Sequence, residues 1–164
     1  MNWSQLGTVA PELASTIQQR FESHLHHVVA TLRRDGSPRV SGTEARFFDG
    51  ELYLGCMPGS RKGDDLRRDP RVALHAATID VEMKDGDAKI AGRAVLVNRE
   101  EASRFLRSLS DHETGADDID TDPPVDGDVF AIDVTEATLT KVDGDELVIE
   151  TWSPTDGVRT IRRK

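Results

Sequence analysis

The chain has 164 residues, 37% of them hydrophobic, enough for one real core and within the usual size of a single domain spanning 1–164. Its longest apolar stretches, such as Val72–Ala77 and Ala94–Val97, fall far short of the roughly 20 residues a membrane-crossing helix needs, so no membrane partner is expected. A formal charge of −9 argues against nucleic acid, which is bound chiefly by neutralising phosphates.

The opening residues Met1-Asn2-Trp3-Ser4-Gln5 carry no basic start or apolar middle, and Cys56 is the single cysteine. Both agree with a reducing compartment and an expected cytoplasmic location, and they leave no intrachain disulfide. Cys56 reads as a small strand residue; the nucleophile reading would lean on nearby Arg61 and Lys62. Positive charge is uneven, concentrated in Arg61, Lys62, Arg67, Arg68 and Arg71 and again at the C-terminus, which permits a local anion site.

In chain order, residues 1–26 are expected to hold one N-terminal helix. It opens at Ala10-Pro11-Glu12 and carries Leu13, Ile17, Phe21 and Leu25 at spacings of four. Beyond it, apolar and β-branched runs alternate with the turn dipeptides Asp35-Gly36, Asp49-Gly50, Asp85-Gly86 and Asp143-Gly144, the pattern of an antiparallel meander. The predicted strands are His27–Arg34, Arg39–Phe48, Glu51–Met57, Val72–Thr78, Ala88–Val97, Val129–Lys141 and Glu146–Ser153, with Val158–Arg162 as an eighth. Short helices are predicted over Lys62–Arg68 and Arg99–Leu109, and Asp111–Asp128 reads as an acidic loop, a plain connection rather than a lid. Many strands, few helices and no β–α alternation point to a mainly β fold, a barrel of six to eight antiparallel strands.

Three stretches carry chemistry. In Leu54-Gly55-Cys56-Met57-Pro58-Gly59-Ser60-Arg61-Lys62-Gly63 a strand ends in a small-residue loop and a helix begins, so that a hydroxyl, a guanidinium, an ammonium and backbone donors converge as a phosphate would require. A solvated basic helix start explains the same residues equally well. In Arg39-Val40-Ser41-Gly42-Thr43-Glu44 a glycine inside a strand admits a flat ligand, with polar side chains beside it. At the C-terminus Trp152 and Arg162 can pair a ring with an anion, although a core Trp beside solvated basic residues is the plainer reading.

The three stretches together, in this order and spacing from about His27 to Arg162, resemble the pyridoxamine 5'-phosphate oxidase-like flavin-binding split-barrel family, including its actinobacterial deazaflavin (F420) branches. The resemblance implies a homodimer. The strand Arg39–Glu44 would lie along the isoalloxazine ring and Ser60-Arg61-Lys62 would grip the ribityl phosphate. Gly55 and Cys56 would touch the cofactor, and Trp152 with Arg162 would arrive from the neighbouring subunit. Asp87 stands where the oxidases carry a ring-contacting Gln.

The substrate side departs from the oxidases. Glu44, Phe105, Leu109, Glu113, Val158 and Thr160 occupy positions where they bind pyridoxamine phosphate through Lys, Tyr, Arg, Ser, Arg and His. The resemblance therefore implies an FMN-dependent oxidoreductase acting on another small acceptor. An F420-dependent reductase and a cofactor-binding protein with little turnover are the alternatives, Arg67, Arg68 and Arg71 being the cations an F420 tail would use.

No catalytic side chain is assigned, because in such proteins the cofactor carries the chemistry. No metal is expected either. His26 and His27 point to opposite sides of a strand, and Asp118-Ile119-Asp120-Thr121-Asp122 starts like a calcium loop but runs into Pro123-Pro124. Nor is there a Gly-x-Ser-x-Gly elbow to support hydrolysis.

Overall fold

The computed structural model describes residues 1–78, 81–114 and 127–164. Two helices open the chain, α1 (Trp3–Val9) and α2 (Pro11–Glu22), followed by strands β1 (His26–Leu32), β2 (Pro38–Phe48) and β3 (Glu51–Cys56). Helix α3 (Arg61–Arg68), strands β4 (Arg71–His75) and β5 (Asp87–Leu96), helix α4 (Arg99–Thr114), and strands β6 (Asp128–Asp143), β7 (Glu146–Ser153) and β8 (Gly157–Arg163) complete it.

All pairings are antiparallel, in the order β3-β2-β1-β4-β5-β6-β7-β8, and a further pairing of β3 with β6 closes the first six strands into a barrel. The 16-residue β6 makes this closure possible. One of its edges follows β5; the other pairs with β3 through Asp128–Ala131 and with β7 through Ala137–Asp143. Strands β7 and β8 therefore leave the barrel as an extension. A mainly β split barrel with short flanking helices is thus the fold expected from the sequence.

The four predicted turn dipeptides all place their glycine at positive φ: Gly36, Gly50, Gly86 and Gly144. Between Ala91 and Gly92 the β5–β6 register shifts by one, leaving Thr135 as an extra residue on β6. At this bulge the backbones close up: a Cβ on Gly92 would lie 2.3 Å from the Asp133 carbonyl oxygen.

The barrel is filled by the inward-facing alternate residues of its strands, among them Val29, Leu54, Leu74, Ile90, Ile132 and Leu139, all at most 2% exposed. Helix α2 packs against β2, β5 and β6, its Leu13, Ile17 and Phe21 buried in the same core as their spacing predicts. Leu25 does not continue that stripe. The helix ends at Glu22 and Leu25 is 42% exposed in the connection to β1.

The expected single N-terminal helix is in fact two. Helix α1 is seven residues long, too short to show a period, and is fixed by an Asn2–Gln5 capping box and by burial of Trp3 and Leu6. The predicted acidic loop is also shorter than expected: 111–114 continue α4 and Asp128 begins β6, while 115–126, with the calcium-like run, lie outside the described residues.

Candidate cofactor and substrate cleft

The outer face of β2 carries Gly42, Glu44 and Arg46 as alternate residues, with Thr43 and Ala45 turned inward. Register places His26 of β1 beside Glu44, Tyr53 of β3 beside Arg46, and Val129 of β6 beside Gly55. Helix α4 packs over this face through a separate apolar cluster of Tyr53, Ala102, Phe105 and Val129, with the Tyr53 and Phe105 rings stacked at 4.8 Å. The strand face, α4 and the β3–α3 loop together enclose a cleft of about 740 Å³. Gly42, Thr43, Glu44, Gly55, Cys56 and Lys62 of the predicted site line it, with Met57, Phe105, Leu106 and Leu109 as its apolar wall.

The start of α3 supplies the charge. Ser60 is the N-cap, its Oγ accepting from the Gly63 N–H at 3.2 Å. The amides of Arg61 and Lys62, in the first helical turn, have no acceptor within the helix. Lys62 Nζ reaches across to β2, donating to the Gly42 carbonyl at 3.1 Å and to Thr43 Oγ1 at 3.0 Å. Of the three predicted anchor residues Lys62 lines the cleft, while Ser60 caps α3 and Arg61 is exposed on its first turn, outside the lining of the cleft.

Its floor is flat for a related reason. A Cβ built on Gly42 or on Gly55 would meet nothing within 4 Å, so neither glycine is required by the chain's own packing. Both leave room for a planar group close to the backbone, and the donor set at α3 suits a phosphate hung from it. The residues present therefore fit a ribityl-phosphate flavin.

Helix α3 is held in place by Asp65, whose side chain is 4% exposed. It accepts from Arg39 Nε at 2.6 Å, Arg68 Nη2 at 3.1 Å and Thr31 Oγ1 at 3.0 Å. Burial alone would push this carboxyl up; the bonds from Arg39, Arg68 and Thr31 outweigh it and hold the group below its ordinary range. Burial pushes the Cys56 thiol up despite Lys62, which opposes the nucleophile reading.

Several predicted residues lie elsewhere. Arg39 is occupied by Asp65 and is a structural ion pair rather than a cleft residue. Val40 and Ser41 lie on β2 before the cleft, Val40 being 69% exposed. Asp87 sits at the start of β5 with His75 Nε2 at 3.3 Å and Lys89 Nζ at 3.6 Å. Trp152 is 3% exposed and belongs to the core of its own chain, so its indole is not presented outward. Arg162, on β8, pairs with Asp143 at 3.3 Å and Glu146 at 3.0 Å.

Arg67, Arg68 and Arg71, the cations suggested for an F420 tail, are each held by a carboxylate, Asp128, Asp65 and Asp69 respectively. The sequence reading missed His26, Arg46 and Asp128 as lining residues. Arg46 was within its reach, since it shares the strand parity of Gly42 and Glu44. Among the described residues no group of three His, Cys, Asp or Glu could hold a metal, and no helix is long and apolar enough to cross a membrane.

The fold recurs in solved structures. PhzG from Burkholderia lata, in complex with tetrahydrophenazine-1-carboxylic acid, is similar at TM-score 0.68 and 13% identity, over 98% of this chain and 92% of that one. A pyridoxamine 5'-phosphate oxidase-related, FMN-binding protein from Nostoc punctiforme aligns at TM-score 0.63 and 14% identity, over 94% and 96%. An F420 reductase aligns at 0.52 and 19%, over 68% and 86%. No curated protein matches the chain in sequence. The pyridoxamine 5'-phosphate oxidase family matches residues 13–143, all six strands of the barrel and so the whole of the cleft's strand floor, and the chain belongs to that family.

Proposed function

We propose that the chain is an FMN-binding oxidoreductase that works as a homodimer on a small acceptor other than pyridoxamine phosphate. Its phosphate anchor is Ser60, Arg61 and Lys62, and the isoalloxazine lies along β2 over Gly42–Glu44. The observation that carries this reading is the Lys62 ammonium, borne on the first turn of α3 and bonded to the carbonyl of Gly42, a glycine whose missing side chain leaves open space beside it. When bound, the flavin would supply hydride transfer; the chain's residues bind the phosphate, fix the ring plane and shield it with Phe105 and Leu109 of α4.

Glu44 puts a carboxylate where a cation would be needed for the substrate phosphate, and Phe105 and Leu109 replace further polar grips with an apolar wall. The pairing of Arg67, Arg68 and Arg71 with carboxylates favours FMN over F420, whose longer anionic tail would find those three cations already neutralised. The homodimer reading is supported by β8, an edge strand exposed along its length with Val158 at 49% and Ile161 at 43%.

The test is a visible spectrum and mass analysis of protein purified from its native host, together with light scattering. FMN in a dimer is expected. F420 in place of FMN, or a concentration-independent monomer mass with the cofactor bound, would overturn the corresponding part of the reading.

A further inference from the structure

Arg46 lines the cleft, yet neither the phosphate anchor nor the ring floor uses it. Among the described residues its guanidinium has no ion pair, and its Nε is shut off from solvent without an acceptor. A shielded donor left without a partner is costly, and a positively charged one more so. By contrast Lys62 donates to the Gly42 carbonyl, and Arg39, Arg67, Arg68 and Arg71 each have a carboxylate.

Arg46 also stands at a junction. A second cavity, of about 530 Å³, adjoins the first and shares Arg46, Phe105 and Leu109 with it, adding the Phe47 and Phe48 side chains. The space around Arg46 is therefore bounded by the rings of Phe47, Phe48 and Phe105 and by Leu109, with Glu22 and His24 also lining the second cavity and His26 the first.

The charges nearby set the kind of anion. Glu44 lies two residues away on the same strand face, about 7 Å along the strand, and Asp128 lines the same cleft. Asp128 is already paired with Arg67, so Glu44 is the carboxylate that would repel a dianion, whereas a single carboxylate can be gripped by the planar fork of one guanidinium.

We propose that Arg46 binds the carboxylate of the substrate, and that the substrate is a flat, apolar monocarboxylic acid seated between β2 and α4. This rests on the flavin reading, which puts the ring beside that pocket.

The test is calorimetric titration of cofactor-free and FMN-loaded protein with 1-naphthoate, the uncharged 1-naphthamide and the dianionic 1-naphthyl phosphate, using wild type, Arg46→Gln and Arg46→Lys. In wild type, naphthoate should bind about tenfold or more tightly than the amide and more tightly than the phosphate. Arg46→Gln should erase the preference over the amide, and Arg46→Lys should restore part of it. Naphthoate binding no better than the amide in wild type, a preference that survives Arg46→Gln, or tightest binding of the phosphate would each overturn the proposal. The FMN titration of the same wild type separates the two readings: a naphthoate preference without FMN binding removes the flavin and keeps Arg46, and FMN binding without the preference does the reverse.

Discussion

Replacing Asp65 by Ala should loosen the phosphate helix and lower stability together. The carboxylate is almost fully buried and ties α3 to β1 through Thr31 and to β2 through Arg39, while also holding Arg68. Removing one member of a buried pair costs about 3–5 kcal/mol. Here the side chains of Arg39 and Arg68 remain 24% and 35% exposed and regain some hydration, so the lower end, about 3 kcal/mol, applies.

For 164 residues the unfolding entropy is about 0.34 kcal/mol/K, which converts that loss into a Tm fall of about 9 °C. Asp65→Asn, which keeps the acceptor for Thr31 but not the charge, should fall about half as far. The folded carboxyl titrates below its ordinary value of 3.8. Its contribution is therefore complete above that pH and is lost as pH falls through the lower folded value. The gap between wild type and Asp65→Ala should stay constant from neutral pH down to about 4 and narrow only below it. Thermal unfolding followed by circular dichroism across that range reads both effects. A Tm change under about 2 °C, or a gap that closes already near pH 6, would refute the assignment of Asp65 as the anchor.

Two further outcomes follow from buried features of the barrel. His27, 3% exposed with neither ring nitrogen hydrogen-bonded, is pushed down to about 4, by burial first and then by His24, His26 and Arg46. Its neutral form is the one the fold accepts, so stability should be complete above about pH 6.5 and fall by up to about 3 kcal/mol between there and pH 4; His27→Phe should remove that fall, and parallel urea-denaturation profiles for the two proteins would count against it. Gly92→Ala would force a Cβ to within 2.3 Å of a backbone oxygen at the β5–β6 bulge. Overpacking of this kind costs about 1–3 kcal/mol, so calorimetry should show a lowered Tm; an unchanged one would mean that the bulge yields freely.

What could be read in the chain, and what could not, divides along physical lines. The hairpin turns were visible because Asp-Gly pairs must supply positive φ, and the strands because alternation marks one buried face. Helix α1 was hidden because seven residues span too few turns for a period, and its capping box is not followed by an apolar run. The start of α3 was legible as a helix N-terminus carrying Ser60, Arg61 and Lys62 in succession, and the structure has Ser60 as its N-cap. The pairing of Arg39 with Asp65 was not legible, because only the fold brings the two within 2.6 Å of each other. Trp152 shows the same limit, since an aromatic residue in a strand looks alike whether it fills the core or meets a ligand. Arg46 and the apolar wall of α4 become a pocket only when β2 and α4 are packed together.

The central claim is that the Lys62 end of the cleft is a phosphate anchor for a flavin. The measurement is fluorescence titration of wild type and Lys62→Ala with FMN and with riboflavin, which has the same ring and no phosphate. A charge-assisted bond contributes about 1.5–3 kcal/mol, so the variant should bind FMN about ten- to a hundredfold more weakly, while riboflavin affinity stays nearly unchanged and wild type prefers FMN by a wide margin. Equal losses for the two ligands, or a wild type that binds them alike, would contradict the account.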